Sequence, residues 1–149
     1  MIENADFPVD RLCFEITETA AISRIDDATK FITRMKALGV KFALDDFGSG
    51  HCSFAYLNAL PVDFLKIDGS LVKNIVHDAS NQVMVQSINE IAHIMGMQTI
   101  AEFVEDQEIL DCLEKIGVDY AQGYGIAKPK LLPLKKLHDQ VADSVSGWV

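Results

Sequence analysis

The feature that most constrains the fold of this chain is a recurring order of segments. Three times, an amphipathic stretch ends in a glycine, a short apolar run follows, and that run leads into acidic or amide residues. The amphipathic stretches are Ile25 to Leu38, Val83 to Met95 and Ile109 to Ile116. Glycine commonly ends a helix because it accepts the left-handed backbone conformation. The recurring order therefore predicts helices that alternate with strands.

The apolar runs have the length and composition of buried strands. Five of them occur: Leu12 to Ile16, Val40 to Leu44, Phe64 to Ile67, Met97 to Ala101 and Val118 to Ala121. Short, nearly continuous apolar runs are typical of strands that are covered on both faces of a parallel sheet. We therefore expect an α/β fold of about five βα units with right-handed crossovers, followed by a final helix from about Leu134 to Val145.

Composition limits the classes of protein to which the chain can belong. Of its 149 residues 49% are hydrophobic, which is enough to bury the core of one domain. The formal charge of −9 would repel a polyanion, so we expect no binding to DNA, to RNA or to an anionic membrane. Cys13, Cys52 and Cys112 form no CxxC pair, and we expect them to be thiols in a reducing cytosol.

Ionisable and amide residues follow the predicted strands near their carboxyl ends. They are Glu15, Glu18, Asp45, Asp46, Lys66, Asp68, Glu102, Glu105 and Gln122. These ends open on one rim of a parallel sheet or barrel, so we expect the side chains to meet there. Clustered carboxylates repel each other unless cations lie among them, and oxygen ligands favour Mg²⁺, Mn²⁺ or Ca²⁺ over zinc. Two such metals beside a lysine are typical of phosphate-ester hydrolysis.

Several of these residues also have a simpler interpretation. Asp46, which precedes Phe-Gly-Ser-Gly, is also suited to a turn or a helix cap. Glu18 and Glu105, taken singly, are as consistent with solvated loop charges as with a site. Asp106 is expected to cap a helix, and the histidines, which lack metal-ligand spacing, are expected to be structural or at the surface. The methionines expected to fill the core are Met84, Met95 and Met97.

Five stretches of the sequence carry a family resemblance. They are FEITE (Phe14 to Glu18), LDDFGSG (Leu44 to Gly50), LPVDFLKID (Leu60 to Asp68), AEFVE (Ala101 to Glu105) and QGYGIAKP (Gln122 to Pro129). In this order they resemble the motifs of the EAL domain family of bacterial cyclic-di-GMP phosphodiesterases. The resemblance implies a TIM (β/α)₈ barrel, of which residues 1–149 would be the C-terminal portion with strands 4–8. It also implies hydrolysis of cyclic-di-GMP to linear pGpG.

The resemblance further implies how the acidic residues divide between two metals. Glu15 and Asp45 would coordinate one ion, and Asp45 would bridge to a second ion that Asp46 also holds. Glu102 would lie near the second ion as a ligand or as a general base. The active metal would be Mg²⁺ or Mn²⁺, with Ca²⁺ as an inhibitory substitute.

The remaining residues would serve the water, the neighbouring loop and the substrate. Lys66 would orient the nucleophilic water, and Asp68 would support the water network at the metals. Glu18 and Glu105 would brace the loop that follows the second strand. Gln122 would contact the region between metal and substrate.

The sequence departs from the family pattern at several points. Phe103 stands where the fourth motif usually has glycine, and the loop Phe47 to Phe54, which couples dimerisation to metal binding in the family, ends in SGHCSF. The Glu-Ala-Leu motif and the asparagine-bearing strand after it do not occur. We therefore expect weak or no turnover by the isolated chain, and self-association through open sheet edges or through that loop.

Two other functional interpretations stay open. The chain could be a non-catalytic module that binds cyclic-di-GMP, dimerises or binds another protein, or it could be an unrelated metal-dependent barrel enzyme. The resemblance places the chain in the bacterial cytoplasm with no membrane contact of its own, while a parent protein could be anchored through other regions.

Overall fold

The computed structural model describes residues 8–50 and 54–131, which form a five-stranded parallel sheet with helices. The strands are β1 (Cys13–Thr17), β2 (Lys41–Phe47), β3 (Phe64–Ile67), β4 (Gln98–Ala101) and β5 (Tyr120–Ala121). Their order in the sheet is their order in the sequence, and each neighbouring pair is parallel. The predicted α/β arrangement is confirmed. The helix predicted from Leu134 to Val145 lies outside the described residues, and so do His51 and Cys52 of the loop.

Aspartate side chains cap three of the α-helices in the described part of the chain. The α-helices are α1 (Glu18–Ser23), α2 (Ile25–Lys36), α3 (Gly69–Val72), α4 (Ala79–Ile94) and α5 (Gln107–Ile116), and 3₁₀ helices span Val9–Arg11 and Phe54–Ala59. Asp78 accepts hydrogen bonds from the first turn of α4, so this helix begins at Ala79 rather than at the predicted Val83. Asp106 accepts a hydrogen bond from the Ile109 N–H at 2.9 Å, which confirms the predicted cap.

The hydrophobic core lies between the sheet and the helices. Alternate side chains of β2 and β3 point into it, and Phe42, Leu44, Leu65 and Ile67 are fully buried. The helices contribute residues that include Ile32, Val85, Ile88, Ile109 and Leu113. Within residues 8–50 and 54–131, no helix combines the length and the apolar character that crossing a bilayer requires.

The methionine prediction is wrong for one residue. Met97 is buried and Met95 is partly buried against the core, but Met84 is 44% exposed. The buried face of α4 passes through Val85 and Ile88. Met84 lies about 100° around the helix from Val85, at the edge of that face, so a large part of its side chain stays exposed.

The sheet curls so that its first and last strands border a common space. Side chains that point away from the core line one cavity of about 460 Å³, and these include Glu15 of β1, Ala43 of β2 and Tyr120 of β5. In a flat sheet β1 and β5 would lie roughly 19 Å apart, because neighbouring strands are separated by about 4.8 Å. The shared cavity therefore indicates the curvature of a partial barrel.

Candidate metal centre

Lys66 lies at the centre of a group of carboxylates at the rim of the curled sheet. Lys66 is on β3 and only 3% exposed. Its Nζ atom lies 2.8 Å from Asp45 Oδ1, 2.8 Å from Glu102 Oε1 and 3.0 Å from Glu15 Oε2. Burial alone would lower the pKa of Lys66, but hydrogen bonds with Asp45, Glu102 and Glu15 outweigh burial and raise it. Lys66 is therefore a buried cation held by acidic residues from three strands or their ends.

Asp45 and Asp46 both reach the site because β2 is irregular at its end. In a regular strand, neighbouring side chains point to opposite faces. The pairing register of β2 with β3 shifts between Leu44 and Phe47, and Asp46 has a φ angle of 62°. A residue in the left-handed region breaks the alternation, and aspartate tolerates that region better than most residues. Asp46 thus combines a turn-like backbone with a carboxylate close to Asp45 and Glu102, and its metal role stays a prediction.

Asp45, Asp46 and Glu102 form the part of the site that is best suited to a cation. One carboxylate oxygen of each lies within 4.8 Å of the others. Burial is the main cause that raises the pKa of Glu102, and the charges of Asp45 and Asp46 add to it against the opposing effect of Lys66. Desolvation, then the charges of Asp45 and Asp68, raise the pKa of the exposed Asp46. For both carboxylates burial is therefore the main cause of the raised pKa, and the neighbouring carboxylates add to it.

One buried oxygen supports the fit to a divalent cation. Among the described residues, the buried Asp45 Oδ1 contacts the Lys66 ammonium at 2.8 Å and has no further donor, so one of its lone pairs is open to a cation. Divalent cations such as Mg²⁺, Mn²⁺ and Ca²⁺ bind carboxylate oxygens, and a donor set made only of oxygen matches them. The residues at the site therefore fit a divalent metal.

Glu15 and Asp68 lie at the margin of this group. The Glu15 side chain is 53% exposed and reaches the site through its contact with Lys66. Asp68 accepts hydrogen bonds from the Ser70 N–H at 2.9 Å and from the Ser70 hydroxyl, and it thereby caps α3. The metal role of Glu15 and the water-network role of Asp68 stay predictions.

The three residues predicted to support the site lie in different surroundings. Glu18 is 4% exposed, and its carboxylate accepts a hydrogen bond from the Tyr56 hydroxyl. Glu105 is exposed, as a solvated loop charge would be. Gln122 lines the 460 Å³ cavity, and its backbone N–H donates to the Ala101 carbonyl at 2.8 Å. Their support roles stay predictions, with burial favouring such a role for Glu18.

Two contacts beside the site are absent from the sequence predictions. Tyr56 reaches Glu18 across 38 positions of the chain, and no local pattern marks such a pair. Phe103 has a φ angle of 55°, and its ring lies where a side chain at position 69 would be. A Cβ atom on Gly69 would lie 2.1 Å from Phe103 Cδ2. The sequence does hold a signal for this second contact. Phe103 stands where the fourth motif usually has glycine, and its bulky side chain needs space of the kind that Gly69 leaves.

The chain is similar in sequence to a known domain family and to characterised proteins. A model of the EAL domain matches residues 1–129. The chain is 50% identical over 127 residues to the cyclic di-GMP phosphodiesterase PdeB of Shewanella oneidensis, and the match covers 85% of this chain and 15% of PdeB. The chain therefore spans a small part of that relative's length.

Solved structures share the fold at substantial sequence identity. The EAL domain of Mycobacterium smegmatis DcpA is 34% identical with a TM-score of 0.78, over 84% of this chain and 56% of that one. Klebsiella pneumoniae BlrP1, solved with manganese and cyclic-di-GMP, is 30% identical with a TM-score of 0.74, over 79% of this chain and 30% of that one. BlrP1 was also solved with calcium. With the family model matched from residue 1 to residue 129, this chain belongs to the EAL domain family.

Proposed function

We propose that the chain carries part of the active site of a cyclic-di-GMP phosphodiesterase, which in the intact domain hydrolyses one phosphodiester bond to give linear pGpG. The observation that supports this most is the approach of Asp45, Asp46 and Glu102 within 4.8 Å beside the buried Lys66. The substrate is supported by the name of PdeB and by the nucleotide in the BlrP1 complex.

Four carboxylates are proposed to hold two divalent metals. Glu15 and Asp45 would hold one, and Asp45, Asp46 and Glu102 the other. When bound, Mg²⁺ or Mn²⁺ would activate a water and neutralise charge on the phosphoryl oxygens, and Ca²⁺ would be an inhibitory substitute. Glu102 is also suited to accept a proton from water, because burial raises its pKa.

Lys66 is proposed to orient the nucleophilic water and to stabilise negative charge on the phosphoryl group. Its three short contacts with carboxylates fix the ammonium group before substrate binds. Donors that are already in place avoid reorganisation during the reaction. Asp68, which caps α3 directly after β3, would support the same water network.

The surrounding residues are proposed to support this centre. Glu18 would brace the loop after β2 through its hydrogen bond with Tyr56, which follows that loop. Glu105 would help to brace it from the segment after β4, and Gln122 would contact the region between metal and substrate.

We expect the isolated 149 residues to turn over cyclic-di-GMP slowly or not at all. The Glu-Ala-Leu motif and the asparagine that follows it in the family do not occur in this sequence. In-line displacement requires the reacting groups to be held together in a defined geometry, so a partial set of ligands is expected to bind more readily than it reacts.

The test combines calorimetry with product analysis on the full 149-residue chain. We expect Mn²⁺ and cyclic-di-GMP to bind, with weaker binding in Glu102→Gln, and little or no pGpG to form. Glu108→Gln, a change at an exposed residue in the first turn of α5, is the matched control and should bind as the unchanged chain does.

Other outcomes would contradict parts of the proposal. Rapid formation of pGpG that Lys66→Ala abolishes would contradict the expected inactivity. Nucleotide binding that is insensitive to Glu102→Gln and gives no product would favour a receptor. Absence of any nucleotide binding would favour an interaction or dimerisation module.

We also propose self-association of the chain in a bacterial cytoplasm. Within the described residues, β1 pairs with β2 and β5 pairs with β4, each on one side, and an unpaired edge invites another strand. The loop after Asp46 is a second candidate contact. Cys13 and Cys112 are free thiols, as a reducing compartment allows. Light scattering should give a mass above the 16.5 kDa of one chain, and 16.5 kDa at every concentration would contradict association.

A further inference from the structure

Phe103 lies at the point where the chain leaves the carboxylate cluster. It directly follows Glu102, has a φ angle of 55° and is 50% exposed. The backbone on both sides is anchored, because the Glu102 N–H donates to the Ile67 carbonyl at 3.2 Å and the Val104 N–H donates to the Gln122 carbonyl at 3.0 Å. The left-handed region is unfavourable for a residue with a Cβ atom. The surroundings of Phe103 must therefore hold it there.

The ring of Phe103 packs along one side of α3. A Cβ atom added to Gly69 would lie 2.1 Å from Phe103 Cδ2 and 2.7 Å from Cγ, so the ring fills the space that glycine leaves. The Nζ atom of Lys73 lies 4.2 Å from the centre of the same ring. Residues four apart lie on the same side of a helix, so Gly69 and Lys73 contact the ring together.

These contacts join the two backbone segments that carry the charged centre. Glu102 precedes Phe103 by one residue, and Lys66 precedes Gly69 by three. The Lys66 Nζ and Glu102 Oε1 atoms are 2.8 Å apart. A change in φ at Phe103 would turn the peptide group that it shares with Glu102 and would move the carboxylate against Lys66.

We propose that Phe103 is a positioning residue: its ring, packed against Gly69 and Lys73, holds the Glu102 carboxylate in place for metal binding. Glycine, which is free to change its backbone angles, would not hold Glu102 in this way. The inference rests on the proposed function insofar as it concerns the metal. Its geometric part, the restraint of Glu102, stands without the metal.

The test measures Mn²⁺ binding by electron paramagnetic resonance and the hydrogen-exchange rate of the Glu102 amide, both on the full chain. Phe103→Ala should weaken Mn²⁺ binding about tenfold, because groups that orient a metal ligand contribute to affinity on that scale, and should speed exchange of the Glu102 amide. Phe103→Gly should also weaken Mn²⁺ binding and speed this exchange. Glycine adopts the positive φ angle without strain, so this variant is expected to fold. Phe103→Tyr, which keeps the ring, should restore both values.

The matched control is Phe31→Ala. Phe31 is also 50% exposed, and its ring packs edge-on against Phe42 with the ring centres 5.9 Å apart. Its loss should change neither Mn²⁺ binding nor exchange at Glu102. The comparison separates an effect on the site from the general effect of removing a half-exposed ring.

Each remaining outcome counts against one specific claim. If the Phe103 variants bind Mn²⁺ as tightly as the unchanged chain and the Glu102 amide exchanges at its usual rate, the inference is wrong, even if thermal stability falls. If the unchanged chain binds no Mn²⁺, the proposed metal site fails. In that case the exchange rate of the Glu102 amide in the Phe103 variants still decides whether Phe103 positions Glu102.

Discussion

The Nζ atom of Lys66 lies 2.8 Å from the Oε1 atom of Glu102, and this ion pair joins the ends of two adjacent strands. The two side chains are only 4% and 14% exposed, so solvent screens the pair weakly. The same ammonium group contacts Asp45 and Glu15. Lys66 therefore supplies much of the positive charge that keeps this acidic group together.

Removal of that charge should make the fold depend on metal. We expect Lys66→Met to lower the free energy of unfolding by about 3–5 kcal/mol in metal-free buffer, because the carboxylates lose their buried counter-charge. The loss should be smaller in saturating MnCl₂, since an ion that binds only the folded state stabilises it. Urea denaturation with and without MnCl₂ measures both values.

The control for this change is Lys36→Met. Lys36 Nζ lies 2.7 Å from Asp63 Oδ1 at the other end of β3, with a side chain that is 32% exposed. Lys36→Met should lower the free energy of unfolding by only about 1 kcal/mol, and this loss should not depend on Mn²⁺. An equal loss for Lys66→Met in both buffers would show that metal does not take over the charge.

The packing of Phe103 on Gly69 should appear as strong coupling between two substitutions. Gly69→Ala places a Cβ atom 2.1 Å from Phe103 Cδ2 and should lower the free energy of unfolding by about 1–3 kcal/mol. Phe103→Gly in the same chain should recover most of that loss because it removes the clash. A double-mutant cycle by denaturation measures the coupling, and simple additivity of the two changes would show that the ring does not occupy this space.

Asp119 should stabilise the chain only above acidic pH. Its Oδ2 accepts a hydrogen bond from the Thr99 N–H at 2.8 Å and lies 2.7 Å from His93 Nε2. Burial alone would raise the pKa of Asp119, but the hydrogen bonds from Thr99 and His93 outweigh it and lower the pKa below the ordinary 3.8. Because the pKa of Asp119 is lower in the folded chain than in the unfolded chain, the ionised carboxylate stabilises the fold above pH 3.8. This stabilisation is lost as the pH falls through the pKa of the folded chain.

Asp119→Asn should accordingly lower the free energy of unfolding by about 1 kcal/mol at neutral pH, because asparagine keeps an acceptor but loses the charge. The difference from the unchanged chain should disappear at strongly acidic pH. Asp111→Asn, at an exposed residue in α5, should show no such pH dependence. Denaturation across a pH series measures the difference, and a constant gap at all pH values would argue against the depressed pKa.

The hydroxyl of Tyr56 should matter far more than that of an exposed tyrosine. Tyr56→Phe removes the donor to the buried Glu18 carboxylate and should lower the free energy of unfolding by about 1–3 kcal/mol. Tyr124→Phe is the matched control, because Tyr124 is 66% exposed, and its cost should stay within about 0.5 kcal/mol. Thermal or urea denaturation of both variants gives the comparison, and equal small effects would show that Glu18 does not depend on this donor.

Much of the fold could be predicted because its signals are local. Apolar runs of strand length, glycine after each amphipathic stretch and the capping position of Asp106 all depend on residues that are neighbours in the chain. The meeting of Glu15, Asp45, Lys66 and Glu102 could be predicted because parallel strands place their carboxyl ends on one rim.

Other features depend on how distant segments pack. The sequence alone determined the alternation of helices and strands and the type of side chain at each strand end. Only the tertiary structure decided that Lys66 contacts three carboxylates, that Phe103 packs on Gly69, that Tyr56 reaches Glu18 and that Met84 faces solvent. The physical reason is that periodicity and capping are properties of a single segment. The orientation of a side chain toward a partner dozens of residues away depends on the curvature of the sheet and on the rotation of each helix against it.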